Sequence, residues 1–303
     1  RHNASDPSES YIDPDLDPME LLEYQAGVDR ALSTTMRVGA RYIHKEIVKA
    51  IEDVGILVPG IGEVYYISNP GYGLSTSIAA QPFPKAVRDY DGFELTFERR
   101  FTNRWGLNAS YTYSRLYGNY TGLASAEEQN TVGTGARLSP NVSRQFDVVQ
   151  SSYNRLGEFT YGNLASDRPH QLKAQLMYEF PWQMTASVAQ YIGSGTPKTE
   201  LALVPIHNFF MPYGRGNLGR TPTLTQTDLF LRQQIPVAGR NIEFLVTIMN
   251  LFDEDTPTRY WTIRNTEDLP VSEAEFFSGD FDYETLINTV APDPGFNQPD
   301  FFQ

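Results

Sequence analysis

Apolar and polar positions alternate with a period of two along much of this chain, which puts alternate side chains on opposite faces of a strand. In 105–113, Trp105, Leu107, Ala109, Tyr111 and Tyr113 share one face, and Gly106, Asn108, Ser110 and Thr112 share the other. In 171–180, Leu172, Ala174, Leu176, Tyr178 and Phe180 oppose Gln171, Lys173, Gln175 and Glu179, with Met177 out of step. Residues 35–42 set Met36, Val38, Ala40 and Tyr42 against Thr35, Arg37, Gly39 and Arg41. Residues 93–100 set Phe93, Leu95 and Phe97 against Glu94, Thr96, Glu98 and Arg100, and Arg99 interrupts the apolar face. Weaker alternation marks 20–30, 184–192, 226–235 and 242–252; in the last of these Leu245 and Met249 leave the parity open. Eight strands follow, several of them longer than the ~5–6 residues of an average globular strand and close to the ~9–11 that a tilted strand needs to cross a bilayer.

The connections alternate in length. Short turns are expected near Ala31–Thr34, at Thr102-Asn103-Arg104, at Pro181-Trp182 and at Pro236–Asn241. Long stretches, roughly 46–86, 117–167, 194–222 and from 253 onward, fall between the pairs and therefore all on one side. Soluble domains seldom carry structureless loops beyond ~12–15 residues, whereas outer-membrane barrels combine short periplasmic turns with long external loops. Rings fit the same frame. Phe101, Trp105, Phe180 and Trp182 gather at the short-turn side, and Tyr111, Tyr113 and Tyr117 lie towards the long loops, where apolar and wet regions meet. The pattern predicts an all-β fold: the antiparallel transmembrane portion of a β-barrel with long external loops. Val38, Ala40, Leu107, Ala109, Leu172, Ala174 and Leu176 are expected to face lipid, and Arg41, Asn108, Ser110, Lys173 and Gln175 the lumen.

Composition sharpens this. With 40% hydrophobic and 13% aromatic residues the chain is too apolar for a disordered protein. It has no apolar run of ~18 residues, so it carries no membrane-spanning helix. With no Cys, thiolate metal sites, disulfides and Cys nucleophiles are excluded. The net charge of -13 is confined to the ends: residues 1–23 hold seven acids and one base, residues 265–303 nine acids and no base, and the stretch between is near neutral. No basic stripe suggests nucleic acid. The chain starts at Arg1 without a charged-then-apolar leader, so an export signal is expected to have been removed or to lie upstream.

Several phrases resemble a known family. They are Phe93-Glu94-Leu95-Thr96-Phe97-Glu98-Arg99-Arg100-Phe101 with Asn103 and Trp105, Ala109-Ser110-Tyr111-Thr112-Tyr113-Ser114, and Gly118-Asn119-Tyr120. Further on come Ser166-Asp167-Arg168-Pro169-His170-Gln171-Leu172-Lys173, Gly193-Ser194-Gly195-Thr196-Pro197 and Gly216-Asn217-Leu218-Gly219-Arg220-Thr221-Pro222. Thr227-Asp228-Leu229 and Asn250-Leu251-Phe252-Asp253 complete the set. In order and spacing these resemble the C-terminal barrel region of TonB-dependent outer-membrane receptors, the Oar-like group in particular. The resemblance implies residence in the outer membrane of a Gram-negative-type bacterium and contact with outer-membrane lipid. It also implies a barrel of about 22 strands, of which 1–303 is an incomplete C-terminal part lacking plug, earlier strands and closing strand. Energised uptake of an extracellular ligand, with the TonB protein acting through that plug, is the implied function: transport, with no catalytic residue and no cofactor. Two other readings stand beside it, a passive porin or adhesin barrel and a secreted carbohydrate-binding β-sandwich.

Motifs that suggest other chemistry have plainer explanations. Gly214-Arg215-Gly216-Asn217-Leu218-Gly219 spells G-x-G-x-x-G, but Pro222 and a Thr-rich run follow where a dinucleotide site needs a helix. Asp167 and Arg168 are expected to pair at the start of a strand. The four His, His2, His44, His170 and His207, are not at metal-ligand spacing. The acidic pieces Asp13–Asp17, Asp89–Asp91 and Asp253–Asp255 offer hard oxygen ligands without a calcium-loop spacing and read as turns. Sequons at Asn3, Asn108, Asn119 and Asn141 read as chance, since Asn108 lies within a strand. Residues Ser272–Val290 are compatible with helix.

Aromatic and Arg side chains are the usual anchors of recognition surfaces. In the long loops they are Tyr117, Tyr120, Arg137, Arg144, Tyr153, Arg155, Tyr161, His207, Phe209, Phe210, Tyr213 and Arg215. These are the candidate ligand-binding residues; the competing explanation is that the loops pack on one another over the barrel mouth.

Overall fold

The structure, a computed structural model, describes residues 11–58, 62–122, 145–205 and 208–302. Its frame is one antiparallel sheet of eight long strands. They are β1 (Glu20–Ala31), β2 (Met36–Lys49), β3 (Arg88–Thr102), β4 (Trp105–Gly118), β5 (His170–Glu179), β6 (Met184–Gly193), β7 (Leu224–Val237) and β8 (Arg240–Ile248). Each pairs with the next in chain order, so the sheet is a plain meander from β1 to β8. Its two ends, β1 and β8, do not pair with each other, and the sheet is an open wall. Among the described residues the other sheets are small, one of three strands and two of two, so the wall has no partner sheet of its own size, as a β-sandwich would require.

The register confirms the alternation. Leu107 lies opposite Leu176, Ala109 opposite Ala174 and Tyr111 opposite Leu172, and on the other face Asn108 meets Gln175 and Ser110 meets Lys173. The polar face is concave and lined by Arg37, Arg41, Glu98, Asn108, Lys173, Gln175 and Asp228 among others. Arg37 pairs with Glu98 at 2.7 Å and Arg41 with Glu94 at 3.8 Å across it. The opposite face exposes Phe93, Leu95, Leu172, Leu176 and Val188. In β8 the pairing Leu231–Val246 and Leu229–Ile248 settles the parity: Ile242, Phe244, Val246 and Ile248 share the apolar face, and Leu245 lies opposite Arg232 on the polar one.

Three of the four short turns use left-handed residues, as tight hairpins require. Asn103 and Arg104 (φ 49° and 71°) turn β3 into β4, Ala238 and Gly239 (φ 50° and 77°) turn β7 into β8, and Gln183 (φ 63°) closes the β5–β6 turn. The β1–β2 turn is held by Ser33, whose hydroxyl accepts the N–H groups of Thr35 and Met36 at 3.2 and 3.1 Å. Arg99 folds onto the Trp105 ring at 3.6 Å. Its guanidinium donates to the Thr102 carbonyl at 3.0 Å and also to that of Trp105. The cation that interrupts the apolar face is thus consumed by its own turn.

Strands β2 and β3 run past the alternating region at the other end, to Lys49 and back to Arg88. There the face that is apolar along the rest of the wall turns polar: Asp91 accepts from the Tyr42 hydroxyl at 2.6 Å and lies 2.9 Å from His44 Nδ1. Pairing outlasts alternation because that end leaves the hydrocarbon.

Among the described residues, every fully enclosed apolar side chain apart from Leu116 lies outside the eight strands. The long connections pack into one cap, and each supplies part of its core. Ala50, Val54, Phe83 and Ala86 come from the first, Tyr120, Phe146, Val149 and Tyr153 from the second, Ala202, Val204 and Phe210 from the third, and Leu269, Val271, Phe276 and Tyr283 from the fourth. The cap has regular pieces of its own. A hairpin, Glu52–Val58 with Gly62–Ser68, carries Tyr11–Ile12 in parallel on its edge. Ala202–Val204 pairs with Asn208–Phe210, and Pro257–Tyr260 pairs with Pro299–Phe302. The helix-compatible run forms two four-residue helices, α1 (Glu273–Phe276) and α2 (Tyr283–Leu286), with Gly279 (φ 81°) between them. Ser272 and Glu275 form a reciprocal cap on α1.

Of the suspected ion ligands, Asp89 and Asp91 lie within strand β3 rather than in the expected turn, paired opposite Glu46 and His44, whereas Asp13 fastens a turn. Asp13 accepts from Asp15 N–H at 2.9 Å, Ser68 hydroxyl at 2.7 Å and Leu74 N–H at 2.9 Å. These bonds outweigh burial and hold its carboxyl below the usual range. Glu52 is the opposite case: burial, helped by Asp53 and Asp147, pushes its carboxyl up to about 7.

Two expectations follow. Leu176→Arg should cost ~2–4 kcal/mol in denaturant-titrated refolding of the intact protein into bilayers, and Gln175→Arg much less; equal costs would show the faces misassigned. Because the folded state raises the Glu52 pKa, the folded cap holds a proton the unfolded chain has lost. Cap stability should therefore be greatest near pH 4.5 and fall as pH rises to about 7. Glu52→Gln should flatten that profile in limited proteolysis; an unchanged slope would assign the dependence elsewhere.

Candidate ligand-binding surface

The cap divides the candidate residues into three groups. Arg137, Arg144 and His207 lie outside the described residues. Tyr120, Tyr153, Phe209 and Phe210 are interior. Phe210 sits among Phe276, Phe281 and Tyr283 at ring distances of 5.1, 5.9 and 5.5 Å. Tyr120 packs on Phe146 at 6.3 Å, and Tyr153 donates to the Pro82 carbonyl at 2.7 Å. Phe209 belongs to a second cluster with Leu201, Leu203, Met211 and Ile263. In this conformation these four hold the loops together and present nothing to solvent, as the loop-packing explanation anticipates.

Tyr117, Arg155, Tyr161, Tyr213 and Arg215 remain at or near the surface. Arg215 is a three-way staple. It donates to the Thr160 carbonyl at 3.1 Å, the Asn119 carbonyl at 3.0 Å and Gln145 Oε1 at 2.8 Å, joining the second and third loops. Its neighbours Gly214 and Gly216, with Gly219, have φ of 73°, 75° and 77°. The G-x-G-x-x-G run is therefore three left-handed turns feeding β7, with no helix after it.

Arg155 and Tyr213 form one unit with Glu284. The Arg155 guanidinium lies 5.0 Å over the Tyr213 ring and 3.8 Å from the Glu284 carboxylate, and the Tyr213 hydroxyl donates to the same oxygen at 2.7 Å. Burial and that carboxylate push the Tyr213 hydroxyl up to about 12, so it remains a donor at physiological pH. Behind it Tyr283 donates to buried Glu200 at 3.0 Å. Burial raises the Glu200 carboxyl, while Tyr283, Arg264 and Asn217 oppose the rise.

Tyr117 and Tyr161 make a second unit. Arg115 lies 4.2 Å over Tyr117, and Phe159 meets Tyr161 edge-on at 6.2 Å and Tyr153 at 4.8 Å. Burial and the neighbouring Tyr117 raise the Tyr161 hydroxyl. The surface offers aromatic faces, two cations and a carboxylate: groups that stack and hydrogen-bond. Among the described residues no group of three or more His, Cys, Asp or Glu could hold a metal ion.

Sequence reasoning missed Arg115 and Glu284. Arg115 was readable, being two residues before Tyr117 and on the same strand face. Glu284 carries no local signal, because its partners lie 71 and 129 residues away in the chain. The expected Asp167–Arg168 pair is corrected. Enclosed Asp167 pairs with Arg220 at 2.5 Å and accepts Leu116 N–H at 2.7 Å, while Arg168 donates to the Ser194 carbonyl at 2.5 Å. Neither residue lies in a strand, since β5 begins at His170, and each is engaged by a partner distant in sequence instead.

The family description "Outer membrane beta barrel domain" matches residues 2–199. The TonB-dependent transporter Oar of Myxococcus xanthus is 32% identical over 271 residues, 86% of this chain and 24% of that protein. The chain thus spans about a quarter of that relative's length. Among solved structures, the outer membrane transporter YddB from Escherichia coli aligns over 82% of this chain and 30% of its own, with a TM-score of 0.53 and 14% identity, a likeness of fold alone. The open eight-strand wall, its lipid-compatible face and these matches agree: the chain belongs to the outer membrane β-barrel domain family and resides in a Gram-negative-type outer membrane.

Proposed function

We propose that this chain is the wall and external cap of a TonB-dependent transporter, whose cap captures an extracellular ligand for energised uptake. The observation that carries this is the joint surface of Arg155, Tyr213 and Glu284, built on a packed cap rather than on loose loops. A rigid support lowers the entropy lost when a ligand is immobilised, and mixed aromatic and guanidinium groups are the commonest binding anchors. The similarity to Oar favours a gated transporter over a passive porin.

The wall belongs to a larger barrel in this proposal. In hydrocarbon the free edges of β1 and β8 would leave backbone N–H and C=O groups unpaired at several kcal/mol each. Further strands are therefore assigned to both edges, and the polar concave face to a plug that meets the TonB protein.

The expected outcome is read by profiling which solute cells remove from their medium. Wild-type cells should deplete one compound that deletion cells and de-energised cells leave. Arg155→Ala or Tyr213→Ala should raise the half-depletion concentration by about tenfold, the effect of losing a binding anchor. Phe210→Ala should instead loosen the cap by ~3–5 kcal/mol, seen as protease sensitivity. Depletion that persists without energy, or surface variants indistinguishable from wild type, would defeat the proposal.

A further inference from the structure

The arginines of this protein are distributed in a way that transport does not explain. Those of the concave face are paired: Arg37 with Glu98, Arg41 with Glu94 and Arg232 with Glu243. Those of the cap bond to carboxylates, carbonyls or rings, as Arg155, Arg168, Arg215, Arg220, Arg259 and Arg264 illustrate. Among the described residues, four arginines make no side-chain hydrogen bond, ion pair or ring contact: Arg30, Arg100, Arg104 and Arg240. All four are exposed, and all four stand at the short-turn rim of the wall.

The rim is continuous. Arg100 N–H donates to the Thr35 carbonyl at 2.9 Å, which ties the β1–β2 turn to β3. Glu179 N–H donates to the Arg104 carbonyl at 2.8 Å, and Gln234 N–H to the Gln183 carbonyl at 3.2 Å, which link the remaining turns. By register Arg30 shares the apolar face with Val38, and Arg240 shares it with Val237. Rings stand between the cations. Phe180 meets Tyr178 edge-on at 4.9 Å and stacks on Trp182 at 4.8 Å, and Phe101, Trp182 and Phe244 are exposed.

The carboxylates near this end do not neutralise it. Glu98 is taken by Arg37 and Glu243 by Arg232, while Asp29 and Glu179 share the parity of the concave face. The opposite end of the apolar face has the reverse character, with Glu46 opposite Asp89 and His44 opposite Asp91.

We infer that the short-turn rim is a binding surface for the phosphate groups of anionic phospholipids in the periplasmic leaflet. Unpaired guanidinium groups fit phosphate oxygens in a bidentate manner. Exposed Trp and Phe between them suit the headgroup level, where ring and cation are each placed in their preferred medium. Charge complementarity selects this occupant: Arg30 and Arg240 stand on the apolar face, Arg104 in the β3–β4 turn and Arg100 beside that turn with the parity of the polar face, and among the described residues the apolar face of the rim holds no unpaired carboxylate. Each basic residue near an anionic membrane surface strengthens association by about fivefold, and salt screens the effect.

The test uses the intact protein reconstituted in vesicles of phosphatidylethanolamine and phosphatidylglycerol. Spin-labelled analogues of each lipid report their association with the protein. The expected result is several-fold enrichment of phosphatidylglycerol around wild type, lost at high salt. Arg30→Gln/Arg100→Gln/Arg104→Gln/Arg240→Gln should bring the enrichment near unity, and the corresponding fourfold Lys variant should keep most of it. Heat-dependent gel mobility verifies that each variant is folded; should the Gln variant not fold, the salt titration of wild type and the Lys variant decide the matter. Absence of enrichment around wild type, enrichment insensitive to salt, or a folded Gln variant equal to wild type overturns the inference. So does crosslinking of the rim to an acidic periplasmic protein without any lipid preference.

Discussion

In hydrocarbon every backbone N–H and C=O must find a partner within the protein, and the rest of this structure depends on that requirement. It explains why the eight wall strands pair in chain order and are joined at one end by turns that waste no backbone. It also explains the single-residue alternation, since each strand meets lipid on one side and a polar interior on the other. The wall needs no hydrophobic core of its own, and apart from Leu116 it has none. Apart from the short turns, the irregular polypeptide among the described residues is displaced to the opposite end, where water or other protein can satisfy it.

What that displaced polypeptide does is the second feature of the molecule. Four connections each contribute apolar side chains to one core, with Phe210 among Phe276, Phe281 and Tyr283 near its middle. Burying such a side chain contributes ~1.5–3 kcal/mol, so the cap is stabilised by soluble-protein physics above a wall governed by membrane physics. Polar staples complete it. Arg215 joins loops through carbonyls, and Arg220 neutralises enclosed Asp167, a pair whose breakage would strand a buried charge at ~3–5 kcal/mol. Cations thus hold loops together above the membrane, and stand unpartnered at the rim below.

The wall was legible in the sequence because lipid imposes a strict period: Leu107, Ala109, Leu172, Ala174 and Leu176 fall on the face their alternation predicts. Strand ends were less legible, since at His44 and Asp91 the outward face becomes polar and the apolar period is lost. The hairpin at Glu52–Ser68 was missed, although β-branched and Tyr residues flank a Pro59-Gly60 pair there. The recognition surface was half legible. Composition picked out Tyr117, Arg155, Tyr161 and Tyr213 together with Tyr120, Tyr153, Phe209 and Phe210, but whether a ring is core or surface depends on packing between loops far apart in sequence. Tyr153 and Arg155 are two residues apart and have opposite fates. Glu284 and Arg220 show the same limit for charges: their partners are set by the fold.

The account rests most heavily on the external loops forming one packed body. Amide hydrogen exchange on the intact protein in membranes measures this directly. Residues 145–163, 200–205, 208–212 and 263–290 are predicted to exchange slowly and together, at rates far below those of the solvent-facing turns. Exchange of these segments at the rate of unstructured chain, or independently of one another, would contradict it.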